Sequence, residues 1–174
     1  MSSSRENPIP MAGSAFLLTQ LGAHAARRYA EHIAELELTP PQTGLLRAIA
    51  AQPGQSQQAL ARHLGTPPTR LVALVDALEE RGVVERCRNT KDRRLYAVHL
   101  TEAGEQLMGQ IARVAKAHDT AMLAALEPDE RDQLRALLGR IAQAEGLSEG
   151  VHPGYRNLRA ADVAPRTRPT RDTG

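Results

Sequence analysis

The chain has 174 residues, enough for one well-packed domain, and its 2% aromatic content (Phe16, Tyr29, Tyr96, Tyr155, no Trp) excludes a reader that stacks single-stranded bases on successive rings. A single cysteine, Cys87, excludes an internal disulfide or a Cys-rich zinc site, and no apolar run nears the ~18 residues that span a bilayer, so a soluble, cytoplasmic protein with no membrane partner is expected. The net charge of +2 comes wholly from the last 29 residues, with 5 Arg against 3 acids, so any contact with a polyanion must be built locally.

Residues 1–12 are Ser- and Pro-rich and are expected to be disordered, with no secretion leader. From Ser14, the residues Leu17, Leu21, Ala25, Tyr29 and Ile33, with Leu18 and Leu36 beside them, recur at spacings of three and four. They predict a long helix ending near Glu37. Thr39 is the expected cap of a second helix, with Pro40 and Pro41 in its first turn, Leu45, Leu46 and Ile49 inside, and Pro53-Gly54 as its stop. Ser56 caps a short third helix over residues 57–64 that Gly65 terminates. Thr66 is then the expected cap of a fourth, opening with Pro67-Pro68, burying Leu71, Leu74, Val75 and Leu78, and ending at Gly82. Two short helices so close together have the shape of a helix-turn-helix. Val83-Val84 and residues 95–100 flank the polar turn Asn89-Thr90-Lys91-Asp92, a two-stranded wing whose alternation groups Tyr96, Val98 and Leu100 on one face. Thr101 caps a fifth helix bearing Leu107, Ile111, Val114, Ala115 and Met122. Pro128 opens a sixth, with Leu134, Leu137, Leu138 and Ile141 buried. Residues 146–174, broken by Gly and Pro, are expected to be a disordered, Arg-bearing tail.

This order predicts a mostly α (α+β) fold. One domain over residues 13–145 holds a winged helix-turn-helix core at about 39–100 and flanking helices at about 14–37 and 101–145. The flanking helices carry more apolar surface than the core covers, which points to a two-fold homodimer; a self-contained helical bundle is the alternative.

The N-terminal turn of a helix laid in the major groove meets base edges. With 71, 74, 75 and 78 inward, the outward residues of the fourth helix are Pro68, Thr69, Arg70 and Ala73, with Ala77 further along. Arg70 suits guanine O6 and N7, Thr69 a base or phosphate, and Ala73 a close approach or a thymine methyl. Gln57, at the start of the third helix, is placed for a phosphate. The stretch 81–94 holds six basic residues (Arg81, Arg86, Arg88, Lys91, Arg93, Arg94) against Glu85 and Asp92, a local excess that suits the DNA backbone or else a solvated basic loop. In the turn, Lys91, Arg93 and Arg94 surround Asp92. A carboxylate two residues away can brace Arg94 as a minor-groove probe.

Gly82-Val83-Val84-Glu85-Arg86, then Asp92-Arg93-Arg94, then Leu100-Thr101-Glu102-Ala103-Gly104 resembles the signature of the MarR family of winged-helix transcription regulators, over roughly residues 14–145. The resemblance implies a homodimer on a pseudo-palindromic double-stranded operator. Such a dimer is usually a repressor, often released by a small, frequently aromatic or phenolic effector or by oxidation, and no cofactor is expected. It places the family's D-x-R motif on Asp92 and Arg94. A Thr-Arg pair common in the family's fourth helix would fall on Val72 and Ala73, whereas here Thr69-Arg70 lies one turn earlier. The family's effector pocket lies between the flanking helices and the winged core, which makes His24, Arg28, Tyr29, His32, Leu45 and Leu46 the candidate lining.

Other chemistry finds little support in the sequence. There is no nucleophile motif, dinucleotide fingerprint or P-loop, so an enzyme is not expected. His24 and His32 lie ~12 Å apart along one helix, too far for a shared ion, and no other histidine has an i, i+4 partner, so no metal site is expected. Cys87 is assigned to strand packing rather than oxidant sensing. The main rival function is a winged-helix protein-interaction domain, which would tolerate loss of the basic wing.

Overall fold

The computed structural model describes residues 13–88, 96–152, 154 and 155. Its elements are α1 (Ser14–Ala34), α2 (Pro40–Ala51), α3 (Gln57–Leu64), α4 (Pro68–Glu80), β1 (Val84–Arg88), β2 (Tyr96–Leu100), α5 (Glu102–Met122) and α6 (Pro128–Ala144). This is a mostly helical winged-helix arrangement with one small antiparallel sheet.

The expected caps form at α2, α3 and α5. At α2, Gln42 N–H donates to Thr39 Oγ1 and Thr39 N–H donates to Gln42 Oε1 (2.9 Å). Pro40 and Pro41 omit only N–H groups that a first turn leaves unpaired. At α3, Ala59 N–H donates to Ser56 Oγ (3.2 Å), and Gly65 closes the helix in the left-handed region (φ 64°). Thr66 does not cap α4. Its N–H returns to the Ala61 carbonyl (3.0 Å) to lock the end of α3, and its hydroxyl is buried without a hydrogen-bond partner. Pro67 takes the cap position instead, and the helix starts one residue later than the sequence suggests.

The strands pair from Val84 opposite Leu100 to Arg88 opposite Tyr96. The other edge of β2 is also used. Gly54 N–H donates to the Val98 carbonyl (3.3 Å), Val98 N–H donates to the Gln55 carbonyl (3.0 Å), and Ser56 bridges Ala97. Ala97 and Val98, whose side chains point to opposite faces, are both buried, while Tyr96 at the end of β2 is 48% exposed. Tyr96, Val98 and Leu100 are alternate residues of β2 as the alternation groups them, but their burial differs along the strand. Cys87 is exposed rather than packed, because β1 has a single neighbouring strand. Residues 89–95, which include Lys91, Asp92, Arg93 and Arg94, lie outside the described residues, as do residues 1–12.

The family-like segment after the wing has a packing reason. Thr101 Oγ1 accepts from Gly104 N–H (3.1 Å) and donates to the Gly82 carbonyl (2.7 Å). Thr101 N–H donates to the Val83 carbonyl. Gly104 sits so close to Val83 that a Cβ there would collide with the Val83 carbonyl oxygen and stand 3.3 Å from Leu100 Cβ. The end of α4, the wing and the start of α5 are thereby joined at one point.

The core gathers Ile33, Leu45, Leu46, Ile49, Leu60, Leu71, Leu74, Val75, Leu78, Val84, Val98 and Ile111. The inward face of α4 is as the spacing predicts. α1 stops at Ala34, short of the expected Glu37. Its last turn opens at Glu37 (φ 55°), where Arg81 donates to the Glu37 (2.7 Å) and Leu36 (2.8 Å) carbonyls. α6 departs most from expectation. None of its residues is buried, and Leu137, Leu138 and Ile141 are exposed, as are Phe16, Leu17, Leu18 and Leu21 on α1, while Leu134 is half-buried. The tail also differs. From Gly146 its described residues follow a defined path, with Val151 packed on the core and Tyr155 only 4% exposed, while residues 153 and 156–174 lie outside the described residues.

Candidate nucleic-acid interface

α3 and α4 are joined by the tight turn Gly65-Thr66-Pro67, which leaves the first turn of α4 projecting into solvent. Pro68, Thr69 and Ala73 are exposed there and Arg70 is half-exposed. The outward stripe runs through Val72 (40% exposed) and Asp76, whereas Ala77 is half-buried. Val72 is the surface residue the sequence reading passed over. A bare isopropyl group on that face suits apolar contact with a thymine methyl.

Arg86, on β1, holds the wing to α4. Its guanidinium donates to Asp76 Oδ1 and to Glu79 Oε2, its backbone N–H donates to Glu79 Oε1 (3.2 Å), and its side chain is only 19% exposed. Gln57, with its amide oxygen turned to the guanidinium, accepts from Arg86 Nε and Nη2 (3.1 Å). One planar cation with donors in a fixed fork thus ties α3, α4 and β1 together. Two of the basic residues counted toward a polyanion contact are consequently engaged inside the fold: Arg86 by two carboxylates and Arg81 by the carbonyls ending α1. Gln57 likewise directs its oxygen inward, while Arg88 stays exposed at the end of β1.

A second cluster lies where α1 meets α5. The His118 ring stands edge-on to Tyr29 (centroids 5.7 Å apart) and to His32 (5.9 Å). Tyr29 Oη donates to Thr43 Oγ1 (3.3 Å), which donates to the Pro40 carbonyl (2.8 Å). Burial holds the His118 pKa below its ordinary 6.5, and the nearby His32 and Arg28 push it the same way. His118 Nδ1 is buried without a hydrogen-bond partner. The sequence carried a signal for this residue, since His118 continues the apolar stripe Ile111, Val114, Ala115 of α5. His24 is exposed and shares a contact with Arg27 (3.2 Å). Leu45 and Leu46 are fully buried in the core, which removes them from the lining of any open pocket. Among the described residues no group of three His, Cys, Asp or Glu side chains could hold a metal ion, and no helix is long and apolar enough to cross a membrane.

A protein of Thauera aromatica named for transcriptional regulation of the hcr operon is 36% identical over 133 residues, which covers 75% of this chain and 80% of that protein. Residues 36–95 match the model of the MarR family. The chain belongs to the MarR family. It is a transcription regulator and not an enzyme. The transcriptional repressor CouR, solved on a 23-mer DNA duplex, superposes with a TM-score of 0.67 at 30% identity, covering 75% of this chain and 92% of that one. Apo MarR from Escherichia coli gives 0.68 at 23% identity, covering 76% and 98%, and so shares the fold. The MarR-type match spans α2, α3, α4 and β1, and so includes the three elements α3, α4 and β1 that Arg86 joins.

Proposed function

We propose that this MarR-family regulator is a homodimeric repressor that reads a pseudo-palindromic operator and is released by a small aromatic or phenolic ligand. The observation that carries the reading is the free first turn of α4, with Pro68, Thr69, Arg70 and Ala73 outward, braced against β1 through Arg86. Arg70 reads a base edge from that turn, Val72 and Ala73 supply apolar contact, and Gln57 stands at the phosphate backbone. Lys91, Arg93 and Arg94, with Asp92 as brace, enter the adjacent minor groove. The second copy covers the apolar rows of α1 and α6, setting the α4 helices about 34 Å apart at the pitch of the duplex. Effector contact falls to Arg28, Tyr29 and His32, joined by His118 and flanked by His24, with the cation and ring edges suited to an anionic aromatic.

Footprinting on DNA upstream of the chain's own gene, repeated with a panel of small phenols, tests this. Arg94→Ala and Arg70→Ala should each cost about 1–3 kcal/mol of operator affinity with dimerisation intact. Folded, dimeric variants that bind as tightly as the parent would transfer the case to the protein-interaction reading.

A further inference from the structure

The tail was expected to be unstructured, yet its described part follows a specific route. Gly146 (φ 66°) turns the chain out of α6 and Gly150 (φ 71°) turns it again. The segment passes the end of α3, leaving a crevice of about 120 Å³ among His63, Gly65, Leu147 and Val151. Val151 then joins the core, and Tyr155 N–H donates to the His152 carbonyl (3.2 Å).

Tyr155 ends in a slot on the N-terminal half of α2. Its hydroxyl donates to the Pro41 carbonyl, 114 positions away in sequence. The hydroxyl end of its ring abuts Gly44, where an added Cβ would stand 2.9 Å from Cζ, 3.0 Å from Cε2 and closer still to the hydroxyl. A glycine inside a helix costs about 1 kcal/mol against alanine, and here the missing Cβ is the space the phenol occupies. Burial drives the phenol pKa up, and Tyr29 is near enough to add to the effect. A carbonyl acceptor at the back, a floor without side chain and depth for one ring describe a site for a 4-substituted phenol.

We propose that this slot is a phenol site filled by the chain's own Tyr155, so that the segment from Leu147 to Tyr155 acts as an internal ligand that a small phenol must displace. The site adjoins the Tyr29 cluster, and its regulatory meaning rests on the effector reading above; the occupancy itself does not. Because the segment also runs beside α3, its departure frees the helix that precedes α4.

Complementation with p-cresol, which is the tyrosine side chain without its backbone, tests this on the full chain. Tyr155→Ala should lower Tm by about 4–8 °C and speed amide exchange at residues 147–152. Millimolar p-cresol should restore much of the lost Tm in Tyr155→Ala. It should do nothing for Tyr155→Ala carrying Gly44→Ala, whose new methyl fills the slot. Gly44→Ala alone should expel the segment and give the same fast exchange at 147–152. Unchanged Tm and exchange in Tyr155→Ala, or equal p-cresol rescue with and without the Gly44 methyl, would overturn the proposal. No step uses DNA, so failure of the operator reading leaves these results standing, and failure here leaves operator binding untouched.

Discussion

Replacing Arg86 by alanine separates two roles that an arginine on a DNA-binding wing can have. In the structure its guanidinium meets Asp76 and Glu79, whose side chains are 59% and 39% exposed, and it also receives Gln57. A charge-assisted hydrogen bond contributes about 1.5–3 kcal/mol where buried, while exposed ion pairs contribute under about 1 kcal/mol. With the cation mostly buried and both partners partly in water, Arg86→Ala should cost about 1–2 kcal/mol, or a Tm loss of about 3–6 °C for a chain of this size. Losing the tie between β1 and α4 should also weaken operator binding by about tenfold, equivalent to about 1.4 kcal/mol, because the wing no longer stands at a fixed angle to the helix. The salt dependence of that binding should not change, since no phosphate partner has been removed. Fluorescence anisotropy across a salt series, beside a thermal melt, reads both. A salt slope lowered by about one per protomer with an unaltered melt would show that Arg86 binds a phosphate, and would refute the reasoning.

Gly104→Ala drives a methyl into the Val83 carbonyl and should cost about 1–3 kcal/mol in a urea titration, whereas Gly109→Ala, which faces open space, should not destabilise. The His118 pKa is lower folded than unfolded, so the unfolded chain binds more protons there and stability should fall as pH drops below about 6.5. Arg28, His32 and His24 reinforce that trend and Asp119 opposes it, so His118→Gln should flatten the pH dependence of Tm between pH 7 and 5.5. An unchanged profile would locate the effect elsewhere. Leu21→Glu with Ile141→Glu places charges in the exposed apolar rows and should convert the proposed dimer to monomer in light scattering while leaving the helical circular dichroism signal in place.

The backbone plan was readable in the sequence because its signals are local. Thr39, Ser56 and Thr101 announce their helices with side chains that bond three residues on, and the spacing of Leu71, Leu74, Val75 and Leu78 fixes the inward face of α4. The misreadings each depend on something outside the element being read. Thr66 looks like a cap until its N–H is seen serving α3, and the alternation along β2 does not foretell that Ala97 and Val98 are buried together. Leu137, Leu138 and Ile141 have the spacing of buried residues, but nothing among the described residues buries them. At the candidate interface the exposed positions 68, 69 and 73 were legible from helical spacing. That Arg86 and Arg81 are spent inside the fold was not, since composition counts charges without their partners. Tyr155 and Gly44 are separated by most of the chain, and only the folded form explains either.

The grip of Arg81 on the Leu36 and Glu37 carbonyls, just past the end of α1, links α1 to α4. Arg81 stands immediately after α4, so the far end of that helix is clamped to the base of α1, and the near end is left to the groove. In the proposed dimer, a rotation of α1 against its twin would carry α4 with it through this clamp, so that the gap between the two α4 helices would be set well away from any base.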